Sequence, residues 1–181
     1  RKEIDLEKTK EAQKLMLENN IDIKNIICHA PYIVNPASTD LIKQDFAINF
    51  LKEELRRCSL MGIKQMVLHP GSAVNETREE GLNNIVKVLD AVLDNPYDVK
   101  ILLETMAGKG NECGINLDEI NYLLKNVKDN TKLGVCLDTC HLNDSGVAIS
   151  AFDSYLDDFV NLIGLEKIGC VHVNDSKNSL N

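Results

Sequence analysis

The chain has 181 residues, 44% of them hydrophobic and 27% charged, with a formal net charge of −8. That length is enough to bury a core, and the composition excludes disordered, collagen-like and disulfide-scaffold classes. No apolar run approaches the roughly 18 residues of a membrane span, and the acid excess weighs mildly against a broad basic nucleic-acid footprint.

Residues 3–18 read as a helix with a weak apolar stripe, leading into a first strand at 25–29. A helix over 39–60 carries Ile42, Phe46, Phe50, Leu51 and Leu55 on one face, with Ser38 or Thr39 as its N-cap. Strand 65–69 follows, then a helix over 78–94 with Leu82, Ile85, Val86, Leu89 and Leu93, opened by the capping box Thr77-x-x-Glu80. After strand 100–104, Asn116-x-x-Glu119 opens a helix bearing Ile120, Leu123, Leu124 and Val127. Strand 133–138 precedes a helix over 154–163, ended by Gly164, and strand 168–173 closes the series.

All five strands are short and apolar throughout, as expected of strands covered on both faces of a parallel sheet. Each ends in a residue that can bind metal: His29, His69, Glu104, Asp138 (with His141 just beyond) and His172. The spacings between these ends are 40, 35, 34 and 34 residues, about one strand–helix unit each. In an open doubly wound sheet polar strand ends gather at one switch point, whereas here every strand supplies one, which is barrel geometry. The expectation is one domain over 1–181, part of a (β/α)8 TIM barrel with one strand before residue 1 and two after Asn181. Alternation places Glu104 above Leu102, Asp138 above Cys136, and His172 above Cys170, all facing the barrel mouth.

A single histidine at a strand end is usually a hydrogen-bonded loop or core residue. Four in the same context, with two carboxylates, are better explained by metal. Imidazole with carboxylate favours zinc, with manganese or iron as lesser candidates. The ligands are too many for one tetrahedral ion, and clustered ions suit phosphoester hydrolysis. Bound cations would also reverse the local sign of an acidic surface. The loops His69-Pro-Gly-Ser and Ala107-Gly-Lys-Gly, and Lys177 beside His172, are weaker candidates for phosphate contacts. For Tyr32 and Ile33, pattern alone favours core packing or a loop anchor. The six cysteines form no Cys-x-x-Cys pair and read as buried reduced thiols, so a cytoplasmic location is expected.

His29-Ala-Pro-Tyr, His69-Pro-Gly-Ser, Glu104-Thr-x-Ala-Gly-x-Gly, Asp138-Thr-Cys-His141 and His172-x-Asn-Asp-Ser-Lys177 resemble endonuclease IV in order and spacing. That family comprises zinc-dependent apurinic/apyrimidinic (AP) endonucleases of DNA repair. The resemblance implies three zinc ions at the C-terminal face of the barrel. His29 and His69 would bind one, Glu104 would bridge it to a second that Asp138 and His172 help to hold, and His141 would bind the third. Through these ions Glu104, Asp138 and His172 would carry the reaction. Tyr32, with Ile33 beside it, would enter double-stranded DNA at an abasic site, and Lys177 would contact it. Cleavage 5′ to the lesion, leaving a 3′-hydroxyl, is the implied activity, by a monomer with no membrane partner. The ligands that complete the second and third sites would follow Asn181, so residues 1–181 alone are expected to be inactive. The rivals are a divalent-metal sugar isomerase or epimerase of the same barrel type, which leaves His29, His69 and His141 unexplained, and a non-catalytic barrel fragment.

Overall fold

A computed structural model describes residues 2–180. Its elements run α1 (Leu6–Glu18), β1 (Ile27–His29), α2 (Leu41–Met61), β2 (Gln65–Leu68), α3 (Arg78–Leu93), β3 (Lys100–Glu104), α4 (Leu117–Asn126), β4 (Leu133–Asp138), α5 (Thr139–Asp144), α6 (Phe152–Leu162) and β5 (Ile168–His172), with short 3-10 turns between. The strands form one parallel sheet in the order β1-β2-β3-β4-β5, so each strand lies beside its sequence neighbours. This is the curved wall of a TIM barrel, as the alternation of elements predicts.

The two faces of the strands pack differently. On the outer face Met66, Leu68, Ile101, Leu103, Val135 and Leu137 are buried against Leu51, Leu55, Ile85, Leu89, Ile120, Leu123 and Phe159 of the helices. On the inner face Val67, Leu102 and Cys136 form a second cluster, flanked by Ile27 and Cys170. The predicted parity of β3, β4 and β5 holds.

Pairing from β1 to β4 is regular, but β4 and β5 are joined through an irregularity. Val135 pairs with Ile168, yet Cys136 pairs with Cys170 and Asp138 with His172. The residue passed over is Gly169, where a Cβ would come within 2.5 Å of Gln65 and Leu102 side-chain atoms. A shift of one residue exchanges the faces of a strand, so this bulge decides that Cys170 and His172 line up with Cys136 and Asp138.

The helix ends show where the sequence reading needed correction. The N-cap of α2 is Asp40, whose carboxylate accepts from the Ile42 and Lys43 amides, rather than Ser38 or Thr39. Ser38 Oγ accepts from the Asp40 amide instead, at 3.2 Å, just ahead of the helix. The capping box on α3 is present in both directions, Thr77 with Glu80, and Asn116 caps α4. The first helix begins at Leu6, capped by Asp5, rather than at residue 3, and none of its residues is buried. The sixth begins at Phe152 after a 3-10 turn, two residues before the predicted start. Helix α5 went unforeseen because six residues are too few for a 3.6-residue periodicity to show.

Candidate metal centre

Glu104 is the hub. It closes β3 with its side chain 2% exposed, and its charge sits in the barrel mouth among histidines. One carboxylate oxygen, Oε2, lies 3.0 Å from His29 Nε2 and 3.1 Å from His69 Nε2. The other, Oε1, lies 3.1 Å from His172 Nδ1 and 3.3 Å from His141 Nδ1. Asp138, at the end of β4, is 3.5 Å from His172 Nδ1 through Oδ2. All six predicted metal ligands therefore converge.

Burial alone would raise the pKa of Glu104. Hydrogen bonds from His141, His29 and His69 outweigh it and hold the carboxyl well below the ordinary carboxylate range. The same bond to Glu104 raises His29 and His141 above the ordinary imidazole value.

Backbone carbonyls orient two of the rings. Nδ1 of His29 lies 2.7 Å from the Ala30 carbonyl and Nδ1 of His141 lies 2.9 Å from that of Thr105. A carbonyl only accepts, so each Nδ1 carries its proton and Nε2 is the nitrogen left for a metal, which at His29 would displace the proton now shared with Glu104.

The donor set fits divalent metal. The ion-pair partners of Glu104 are all histidines, and imidazole is a weak permanent counterion near neutral pH. A bound cation would neutralise the buried carboxylates and take the imidazole lone pairs in place of protons. Two trios have donor atoms mutually within 4.8 Å on this side: His29, His69 and Glu104, and Glu104, Asp138 and His141. The first is the predicted first zinc set. The second places His141 with Asp138, where the sequence reading had His172.

Several supporting residues, some of them inside the quoted motifs, had no role assigned from the sequence. Thr105 Oγ1 accepts from the Asp138 amide at 3.0 Å, and Asn174 Nδ2 donates to Asp138 Oδ2 at 2.6 Å. Asn35 joins the loops after β1 and β2, donating to the Ser72 carbonyl and accepting from its amide, both at 2.9 Å. Gly71, at φ +112°, gives that junction its close backbone approach.

Tyr32 and Ile33 sit on the rim, 86% and 64% exposed. That overturns the core-packing reading favoured by pattern alone, because the turn after His29 throws both side chains outward. Lys177 is exposed in the segment after β5. Asp144 anchors this segment, accepting from Ser176 Oγ and Asn178 Nδ2 at 2.7 Å each and pairing with Lys109 at 3.1 Å. Among the described residues no helix is long and apolar enough to cross a membrane.

Comparison with known proteins bears out the resemblance to endonuclease IV. A probable endonuclease 4 of Acholeplasma laidlawii is 47% identical over 183 residues, 99% of this chain and 62% of the relative. The crystal structure of endonuclease IV from Thermus thermophilus matches with a TM-score of 0.79 at 27% identity, over 99% of this chain and 63% of the other. A D-tagatose 3-epimerase-like protein matches with a TM-score of 0.74 at 23% identity, over 92% and 61% of the two chains, a likeness of fold alone. The chain thus spans about three-fifths of the length of the curated relatives it matches. The sequence profile of the xylose isomerase-like TIM barrel family itself matches residues 1–181, and the chain belongs to that family.

Proposed function

We propose that these residues are the metal-binding part of an AP endonuclease, which hydrolyses the phosphodiester 5′ to an abasic site in double-stranded DNA. The observation that carries this reading is the convergence of four imidazoles on the buried Glu104 carboxylate, beside Asp138. The names of the endonuclease 4 relatives support it. A sugar epimerase of the same fold has no evident use for so many imidazoles.

In the reaction, water adds to phosphorus and the bond to the leaving 3′-oxygen breaks. That oxygen takes a proton and becomes a 3′-hydroxyl, while the phosphate stays on the abasic nucleotide. Bound divalent ions, zinc foremost with manganese as the alternative, would supply Lewis-acid activation of water and phosphate. His29, His69 and Glu104 would hold one ion. Glu104, Asp138 and His172 would help to hold a second, and His141 would bind a third.

Tyr32 and Ile33 would occupy the space where the missing base leaves the stack, so the lesion is read by shape and flexibility. Lys177 would meet a backbone phosphate. We further propose that residues 1–181 act as one domain, that the complete protein is a cytoplasmic monomer, and that this portion alone does not turn over.

The test is nicking of a duplex carrying one abasic site by the full-length protein, before and after chelation. Cleavage 5′ to the lesion, lost on chelation and restored by zinc, is expected. A folded, zinc-loaded protein that leaves the duplex intact but epimerises a ketose would overturn the proposal.

A further inference from the structure

One step down the barrel from the metal centre lie two thiols that the proposed reaction does not use. Cys136 on β4 is fully buried, and Cys170 on β5 is partly exposed beside it. The bulge between β4 and β5 makes them direct cross-strand partners, both on the inner face with Val67 and Leu102. Neither is in a disulfide. Their sulfur atoms and a ring nitrogen of His172 all lie within 4.8 Å of one another.

Two thiolates and an imidazole around a tetrahedral zinc stand about 3.5–3.8 Å apart, given metal–sulfur and metal–nitrogen bonds of about 2.3 and 2.0 Å. Small side-chain rotations would close the observed trio to that spacing. Soft sulfur donors prefer thiophilic cations, whereas the carboxylates above them prefer harder ones. A divalent cation that displaces both thiol protons adds no net charge to the apolar interior, which limits the cost of placing it there.

We propose that Cys136, Cys170 and His172 form a second, thiol-based site for one thiophilic divalent cation such as zinc or cadmium. The site competes with the carboxylate–imidazole centre for His172. Occupying it draws that ring from Glu104, 3.1 Å away, and from Asp138, 3.5 Å away. The inference rests on donor geometry and holds whether or not the protein cuts DNA.

Cobalt(II) titration of the metal-stripped, reduced, full-length protein tests it without an activity readout. The expected spectrum has a near-ultraviolet sulfur-to-cobalt charge-transfer band alongside visible d–d bands. Cys170→Ser and Cys136→Ala should each lose the sulfur band, keep visible bands from the upper centre, and keep the far-ultraviolet circular dichroism of the parent. If the buried Cys136 variant does not fold, the partly exposed Cys170 variant decides. Visible bands at saturation without a sulfur band would overturn the proposal and leave the upper centre standing. A sulfur band of equal strength in Cys170→Ser would overturn it too, by assigning the thiolate elsewhere. Absence of any cobalt binding would overturn the thiol site and the metal centre together.

Discussion

At the scale of single residues, the centre depends as much on the groups that aim its ligands as on the ligands. Asn174 donates to Asp138 Oδ2 at 2.6 Å, which leaves Oδ1 to accept from the His141 amide at 2.9 Å. Losing such a partner typically weakens metal affinity by about 10–100-fold. Asn174→Ala is expected to fall in that range in a chelator competition, with little change in thermal midpoint because Asn174 is exposed. The histidine–carboxylate cluster also sets a pH dependence for the metal-free protein. Glu104 is depressed from its ordinary 4.5, so its contribution to stability is present above that value and is lost as pH falls through the lower folded value. His29 and His141 are raised from 6.5, so theirs is complete below 6.5 and is lost as pH rises through the higher folded value. The chelated protein should therefore gain most from this cluster between pH 4.5 and 6.5, and its melting temperature should fall on going more alkaline. The metal-loaded protein should not show that alkaline fall, since metal and proton compete for the same imidazole lone pairs. Parallel alkaline decline with and without metal would remove the cluster from the metal centre.

Among the elements, α3 offers two separable tests of how helices are held to the sheet. Thr77 and Glu80 cap its start reciprocally, and Thr77→Ala should cost about 1 kcal/mol in equilibrium denaturation. Gly81 lies one turn inside the same helix, and helix propensity alone would favour alanine there by about 1 kcal/mol. Its added Cβ, however, would stand 2.8 Å from Cys113 Sγ and 2.9 Å from Ala73 Cβ, both buried. Overpacking of that kind costs about 1–3 kcal/mol, so Gly81→Ala is expected to lower stability. A rise in the denaturation midpoint would mean that the loop carrying Ala73 yields freely. The bulge between β4 and β5 is the other element-scale device, since Asp138 and His172 face the same mouth only because Gly169 is passed over.

At the largest scale, a net charge of −8 over residues 1–181 makes ordinary electrostatic attraction of this part to DNA weak. Affinity for an abasic duplex should then depend on bound cations, which reverse the sign of the mouth locally. In the full-length protein chelation is expected to abolish binding in a gel-shift assay as well as nicking of the abasic duplex. Binding unaffected by chelation would mean that other parts of the protein carry the DNA contact. Within the described residues β1 pairs only with β2, and β5 only with β4. Val171 and Val173, at the β5 edge, are 44% and 85% exposed. Unpaired edges recruit other strands, so residues 1–181 prepared alone should associate with rising concentration, which light scattering would record.

The sequence by itself determined the class of fold and most of the centre, because both are written in local patterns. Apolar runs of strand length alternate with helical periods, and each run ends in His29, His69, Glu104, Asp138 or His172. A side chain two residues beyond an inward-facing one must face inward again, so strand parity alone places Glu104 over Leu102 and Asp138 over Cys136. What only the tertiary structure decided is whatever depends on register between strands or contact between loops. The bulge at Gly169, the grouping of His141 with Glu104 and Asp138, and the orienting bonds from Thr105 and Asn174 join residues far apart in the chain. No local periodicity encodes such contacts. They arise when the sheet curls and gathers the residues at five strand ends around one buried carboxylate.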